Sequence, residues 1–172
     1  MRLADFIEAN SSRIMGVGMS IDRKLCDLCE ELADEVELLK AALPESGISL
    51  HCEGAVQGRF DASRIREAVH NLVANAIKYG DPGSAVQVSI EGKPQQVTLA
   101  VTNRGPAIPA GAEAAIFDPL RRGAAVATTG ENSSLGLGLF VVREVVLAHG
   151  GAIEARPEDG VTTFIMSLPR EP

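Results

Sequence analysis

The chain has 172 residues and carries 16 Lys and Arg against 23 Asp and Glu, a formal charge of −7 at pH 7. Its 45% hydrophobic and 23% charged residues suit one folded domain with a real core, while the acidic balance and the lack of a basic tract argue against nucleic acid or an anionic membrane as partner. No apolar run reaches the ~18 residues of a bilayer span, the N-terminus lacks a basic-then-apolar signal pattern, and three cysteines, an odd count, read as reduced thiols of a cytoplasmic protein.

Residues 1–21 stand apart from 22–172. Leu3, Phe6, Ile7 and Ile14 have helical spacing until Gly16 and Gly18 break it, so a short amphipathic helix and a joint are expected. From Leu25 onward, Leu25, Cys29, Leu32, Val36, Leu39 and Leu43 recur at steps of four and three, predicting a core-facing helix that Pro44 ends. Ile48 to Cys52 reads as a strand. Asp61 is placed as the N-cap of a helix whose apolar stripe is Ile65, Val69, Leu72, Val73 and Ala76. The alternating runs Val86/Val88/Ile90 and Val97/Leu99/Val101, split by Gly92-Lys93-Pro94, predict an antiparallel hairpin.

A long segment of little periodicity runs from Asn103 to Ser134, with a short helix expected around Glu113 to Phe117; loops of that length in a compact domain are usually functional. A helix over Leu137–Ala148 should end at Gly150-Gly151. Strands at Ala152–Ala155 and Thr162–Leu168, turning at Pro157 to Gly160, close the chain. The sum is an α+β two-layer sandwich, a mixed five-stranded sheet covered on one face by three helices.

On the helix after Asp61, Glu67, Asn71, Asn75 and Lys78 form one polar stripe opposite the apolar one. Asparagine is a mediocre helix former, and a carboxamide oxygen can ligate Mg²⁺, with the Lys78 ammonium one turn on for phosphate oxygens. A solvated helix face would carry the same residues. Ser134-Leu135-Gly136-Leu137-Gly138-Leu139 opens the later helix, where free N–H groups favour an anion. It is neither the dinucleotide fingerprint nor a Walker sequence. Cys26-Asp27-Leu28-Cys29 with His51-Cys52 could suggest zinc, but adjacent strand residues face opposite ways, so these cysteines are read as small buried hydrophobes.

Taken in order, four segments resemble the ATP-binding catalytic domain of sensor histidine kinases, in the superfamily of gyrase, Hsp90 and MutL. His70-Asn71-Leu72-Val73-Ala74-Asn75-Ala76-Ile77-Lys78-Tyr79-Gly80 is similar to the N box, and Asn103-Arg104-Gly105-Pro106-Ala107-Ile108-Pro109 to the G1 box. Ile116-Phe117-Asp118-Pro119-Leu120 resembles the F box and Gly136-Leu137-Gly138-Leu139 the G2 box.

The resemblance implies ATP and Mg²⁺ as cofactors, Asn75 as the metal ligand with Asn71 assisting, and Lys78 and Tyr79 at the nucleotide. Asn71, Asn75 and Lys78 would be catalytic. Asn103, Gly105, Ala107 and Ile108 would lie at the base, and Leu135, Gly136, Leu137, Gly138 and Leu139 at the phosphates. A long ATP lid would span about Asp118 to Ser134, with Phe117 at its hinge and Arg121 or Arg122 reaching the γ-phosphate. The implied partner is a separate phosphoacceptor histidine domain and, through it, a response regulator. Neither nucleic acid nor membrane contact is implied for this chain.

Three positions depart from the family pattern. Asn103 replaces an Asp that accepts from the adenine amino group; a carboxamide accepts too, or donates after an amide flip, so a weaker preference for adenine over guanine is expected. Ala107 and Ser134 replace glycines. None of His51, His70 and His149 is read as a phosphoacceptor, which leaves the chain as a catalytic half. Two other readings stay open: a non-catalytic phosphotransferase-like adaptor with a degenerate nucleotide site, and an anti-sigma-factor-type protein-serine kinase.

Overall fold

Asp27 sets where the first helix begins. In the computed structural model, which describes residues 19–105, 115–117 and 131–171 (the backbone alone for 115 and 131–137), strand β1 (Lys24–Asp27) passes directly into α1 (Leu28–Ala42). The Asp27 carboxylate accepts from the Glu30 N–H at 3.1 Å, and Glu30 and Glu31 place negative charge in the first turn, where the helix dipole favours it. The helix expected from Leu25 therefore starts three residues later. Its buried stripe is Leu28, Leu32, Val36 and Leu39, while Leu25, 74% exposed, belongs to β1. β1 pairs antiparallel with β3 (Gln57–Phe60), a ribbon that the sequence pattern did not announce.

The other elements follow the pattern closely. β2 is Ile48–Glu53, and α2, Ala62–Tyr79, is capped by Asp61, whose carboxylate accepts from the Arg64 N–H at 3.2 Å. β4 (Val86–Gly92) and β5 (Gln96–Arg104) make the expected hairpin. A single 3-10 turn covers Ala115–Phe117. α3 runs over Glu131–Ala148, and β6 (Ala152–Glu158) and β7 (Val161–Pro169) close the chain. Their turn is at Asp159 and Gly160, with φ of 52° and 77°, the left-handed region that hairpin turns require.

β2, β4, β5, β7 and β6 lie side by side in that order, β2 parallel to β4 and every other pair antiparallel. This is the expected mixed five-stranded sheet. Alternation directs Val86, Val88, Ile90, Val97, Leu99, Val101, Phe164, Met166 and Leu168 to the helix-covered face, where they bury against Ile65, Val69, Leu72, Val142, Val145 and Val146. Asn103 is the next inward position on β5 after Val101 and is 8% exposed.

Two expectations are corrected. α3 starts at Glu131 rather than near Leu137, because the cost of a glycine inside a helix, about 1 kcal/mol, is small beside the burial of Leu139, Val142, Val145 and Val146 on its core face. The cysteines are not all reduced: Cys29 and Cys52 form a disulfide, and Cys26 is the free thiol. The register of β2 under the first turn of α1 brings the two Cα atoms to 6.2 Å, within the span of a bridge. The segment 1–21 lies outside the described residues as far as 18, as does the lid stretch 118–130; among described residues no helix is long and apolar enough to cross a bilayer.

Candidate nucleotide site

Two glycines let the end of α2 meet the end of β5. A Cβ on Gly80 would lie 2.7 Å from Asn103 Nδ2 and 2.9 Å from the Arg104 carbonyl oxygen, and one on Gly105 would lie 3.1 Å from the Gly80 Cα. The approach is held by the Gly80 N–H donating to the Ala76 carbonyl (2.8 Å) and the Asp81 N–H to the Arg104 carbonyl (2.8 Å). The result sets Asn103 beside the last turn of α2, at the Ala76 carbonyl and Gly80.

Asn75 is 5% exposed, and among the described residues its Oδ1 has no hydrogen-bond partner. A buried carboxamide oxygen left open in a helix is costly unless a ligand or water completes it. Asn71 sits one turn earlier and is half-buried. A Cβ on Gly138 of α3 would lie 3.8 Å from Asn71 Cγ, so the two helices bring the N-box and G2-box residues together. Lys78 is exposed, with its ammonium 5.9 Å from the centroid of the Tyr79 ring. The open Asn75 oxygen, Asn71 beside it and the nearby ammonium suit a hydrated Mg²⁺ with phosphates.

The Asn103 side chain is oriented by its surroundings. Its Nδ2 donates to the Ala76 carbonyl (3.3 Å) and the Arg104 carbonyl (3.1 Å). An amide flip would turn Oδ1 against both carbonyl oxygens, so the expected ambiguity between donor and acceptor does not hold. Oδ1 is the group left for a base.

Ile116 and Phe117 are buried, and the Phe117 ring meets Phe164 edge-on, with centroids 6.0 Å apart. That pins the chain directly before Asp118. Ala107, Ile108, Arg121 and Arg122 lie outside the described residues, and of Leu135, Gly136 and Leu137 the backbone alone is described, within α3. Because α3 begins at Glu131, Gly136 and Gly138 fall in its second turn, and the free N–H groups of the helix start lie ahead of them. Leu139 is a core residue, fully enclosed. Glu67 is paired with Arg64 at 3.6 Å on the helix surface.

A second layer escaped the sequence pattern. Arg66 reaches Glu31 at 2.6 Å and His70 reaches Glu35 at 3.1 Å, tying α2 to α1 beside Asn71. Only charge complementarity between two helix faces could have suggested it. At the far end of α2, the Asp61 N–H donates to His149 Nε2 (3.0 Å), and His149 Nδ1–H donates to the Val145 carbonyl (2.8 Å). Burial lowers the His149 pKa below the ordinary 6.5, so the ring is the neutral Nδ1–H tautomer and a structural link. A cavity of about 210 Å³ lined by Glu45, Ser46, Ile77, Asp81 and Ser84 lies by the end of α2 and contains none of the expected site residues.

The family profile of histidine kinase-, DNA gyrase B-, and HSP90-like ATPases matches residues 60–172. The chain belongs to this family. The match takes in all four boxes, from the N-box helix to β7. The sensor protein CutS of Streptomyces coelicolor is 33% identical over 144 residues, 81% of this chain and 34% of that protein. The sensor-like histidine kinase SenX3 of Mycolicibacterium smegmatis is 30% identical over 176 residues, 99% of this chain and 46% of that one. The chain thus spans about a third to a half of the length of these relatives. Among solved structures, the catalytic domain of the histidine kinase ThkA superposes with a TM-score of 0.74 at 26% identity, covering 88% of this chain and 100% of that one. ThkA in complex with the response regulator TrrA gives 0.72 at 22% identity, over 97% of this chain and 48% of that one, a likeness of fold. The expected sandwich is therefore the family's ATPase architecture.

Proposed function

We propose that this chain is the ATP-binding catalytic part of a two-component sensor kinase, acting in the cytoplasm and transferring the ATP γ-phosphoryl group to a histidine on a separate phosphoacceptor domain, which in turn serves a response regulator. The observation that carries the reading is the buried Oδ1 of Asn75, without a hydrogen-bond partner among the described residues, on the N-box helix of a member of this ATPase family. Mg²⁺, held by Asn75 with Asn71 beside it, would neutralise phosphate charge. Catalysis in this class is mostly positioning and electrostatics. Lys78 would meet phosphate oxygens, Asn103 Oδ1 would accept from the adenine amino group, and the close packing of α3 on Asn71 would exclude water from that side. The relatives named as sensor kinases, and ThkA in complex with a response regulator, support the partner assignment.

Calorimetric titration with a non-hydrolysable ATP analogue tests this directly. Binding should need Mg²⁺, and Asn75→Ala should weaken it at least tenfold with an unchanged far-ultraviolet spectrum. Equal affinity in the wild type, the variant and a chelator would refute the metal assignment. With radiolabelled ATP, label should appear on a helical-hairpin protein carrying the acceptor histidine, and not on the chain alone; label on a partner's serine would place the chain with serine kinases.

A further inference from the structure

We infer that Cys29 and Cys52 form a reversible thiol–disulfide exchange site, reduced by a dithiol, whose oxidised state holds α1 in the position that keeps the N-box helix ready for nucleotide. This inference rests on the nucleotide reading above.

The placement of the bridge carries the argument. Cys29 is the second residue of α1 and Cys52 lies on β2, an edge strand paired on one side by β4. The bridge is the covalent tie between that helix and that edge. Both cysteines are half-buried rather than enclosed, so an exchanging thiol can reach them. From α1 the constraint passes to α2 through Glu31–Arg66 at 2.6 Å and Glu35–His70 at 3.1 Å, and His70 precedes Asn71. Asn71 and Asn75 are thus one ion pair, one hydrogen bond and one helix away from the sulfurs.

Chemistry selects the pair. Intracellular thiols are kept reduced, and a bridge that forms there is commonly a redox-responsive one. Cys26, three residues before Cys29, is the free thiol; burial first, and the nearby Glu31 second, raise its pKa and keep it protonated, so it does not compete as a nucleophile. In the exchange, one thiolate of the dithiol attacks a bridge sulfur and forms a mixed disulfide, and the second thiolate displaces it. Two electrons and two protons pass to Cys29 and Cys52, and the dithiol leaves as its own disulfide.

The test uses the full chain, purified without reductant and then treated or not treated with dithiothreitol. Alkylation of the denatured chain at alkaline pH, followed by mass spectrometry, should find one alkylated cysteine, Cys26, before reduction and three after. Reduction opens a loop of 23 residues and should lower Tm by roughly 6–12 °C. It should also weaken binding of a non-hydrolysable ATP analogue about fivefold or more. The double variant Cys29→Ser/Cys52→Ser should match the reduced form and ignore dithiothreitol, whereas Cys26→Ser should respond like the wild type. If the double variant does not fold, the wild-type titration alone carries the test. Three reactive thiols before reduction, or a bridge that includes Cys26, would overturn the assignment. A bridge that forms while Tm and affinity stay fixed would refute the switch alone. No nucleotide binding in either state would refute the nucleotide reading and the affinity change together.

Discussion

Replacing Asn103 by aspartate, the residue that the resemblance implies there, should damage this particular protein. Asn103 is 8% exposed, and its Nδ2 donates to the carbonyls of Ala76 and Arg104 at 3.3 and 3.1 Å. Asn103→Asp keeps the shape and removes both donors, and at neutral pH it sets a negative charge against two carbonyl oxygens. Each neutral hydrogen bond contributes about 1 kcal/mol, and a buried group left without its partner costs about 1–3 kcal/mol. The Ala76 carbonyl keeps the Gly80 N–H at 2.8 Å and the Arg104 carbonyl keeps the Asp81 N–H at 2.8 Å, so neither is orphaned. The net loss should therefore be roughly 1–3 kcal/mol, which for a domain of this size is a fall in Tm of about 2–12 °C. A carboxyl so placed has a raised pKa in the folded state. Its penalty is absent below the unfolded value of about 3.9 and grows as pH rises through the folded value, so the gap to wild type should narrow as the buffer is acidified toward pH 4. Thermal unfolding by circular dichroism over a pH series measures this. Calorimetry with ATP and GTP analogues completes the assay: wild type should prefer adenine clearly, since the fixed amide offers only an acceptor. An unchanged or higher Tm for Asn103→Asp, or a wild type that binds guanine equally well, would refute the orientation assigned to the amide.

Gly138→Ala should raise stability by roughly 0.5–1 kcal/mol, because it removes a helix-interior glycine and its methyl would only touch Asn71 at 3.8 Å; the same methyl should weaken ATP-analogue binding, and a stabilised variant with undiminished affinity would make this glycine dispensable to the site. The depressed pKa of His149 means that its contribution is present above the ordinary value of about 6.5 and is lost as pH falls through the folded value; wild type should lose more Tm on acidification than His149→Gln, which keeps an acceptor for the Asp61 N–H and cannot titrate. Phe117→Ala removes a ring buried against Phe164 and should cost about 3–5 kcal/mol in urea unfolding, where a loss below 1 kcal/mol would show that this turn is not anchored.

Where periodicity and chemistry agree, the chain could be read directly. The stripe from Ile65 to Ala76, the cap at Asp61 and the hairpin of β4 and β5 are local signals, and all three are present. Leu25 misled because its spacing to Cys29 and Leu32 is helical, while the deciding facts are a hydrogen bond from Glu30 to Asp27 and a strand partner more than thirty residues away. The bridge was illegible for the same reason: only the register of β2 beneath α1 brings Cys52 to Cys29. The N box pointed to Asn71, Asn75 and Lys78 as site candidates, but an Asn75 oxygen with no partner among the described residues and the fixed amide of Asn103 depend on how α2 and β5 meet across Gly80 and Gly105.

Arg170 joins parts of the chain that are far apart in sequence. Its guanidinium donates to the carbonyls of Ala55, Gln57 and Lys93, its backbone carbonyl accepts from the Arg59 N–H, and its own N–H donates to Gln95. Arg59 and Gln57 belong to β3, which pairs with β1, the first strand among the described residues. Tension applied through the residues before Lys24 and taken off beyond Arg170 would therefore meet in one small ribbon and travel across it by a short path. Before it reaches the ribbon it would also cross two bonds to helix ends, from the Asp22 N–H to the Asp61 carboxylate (2.9 Å) and from the Arg23 guanidinium to the Ala148 carbonyl (2.6 Å). Pulled in this way, the domain should yield first at these bonds, the ribbon and the Arg170 clamp, leaving the meeting point of α2 and β5 at rest.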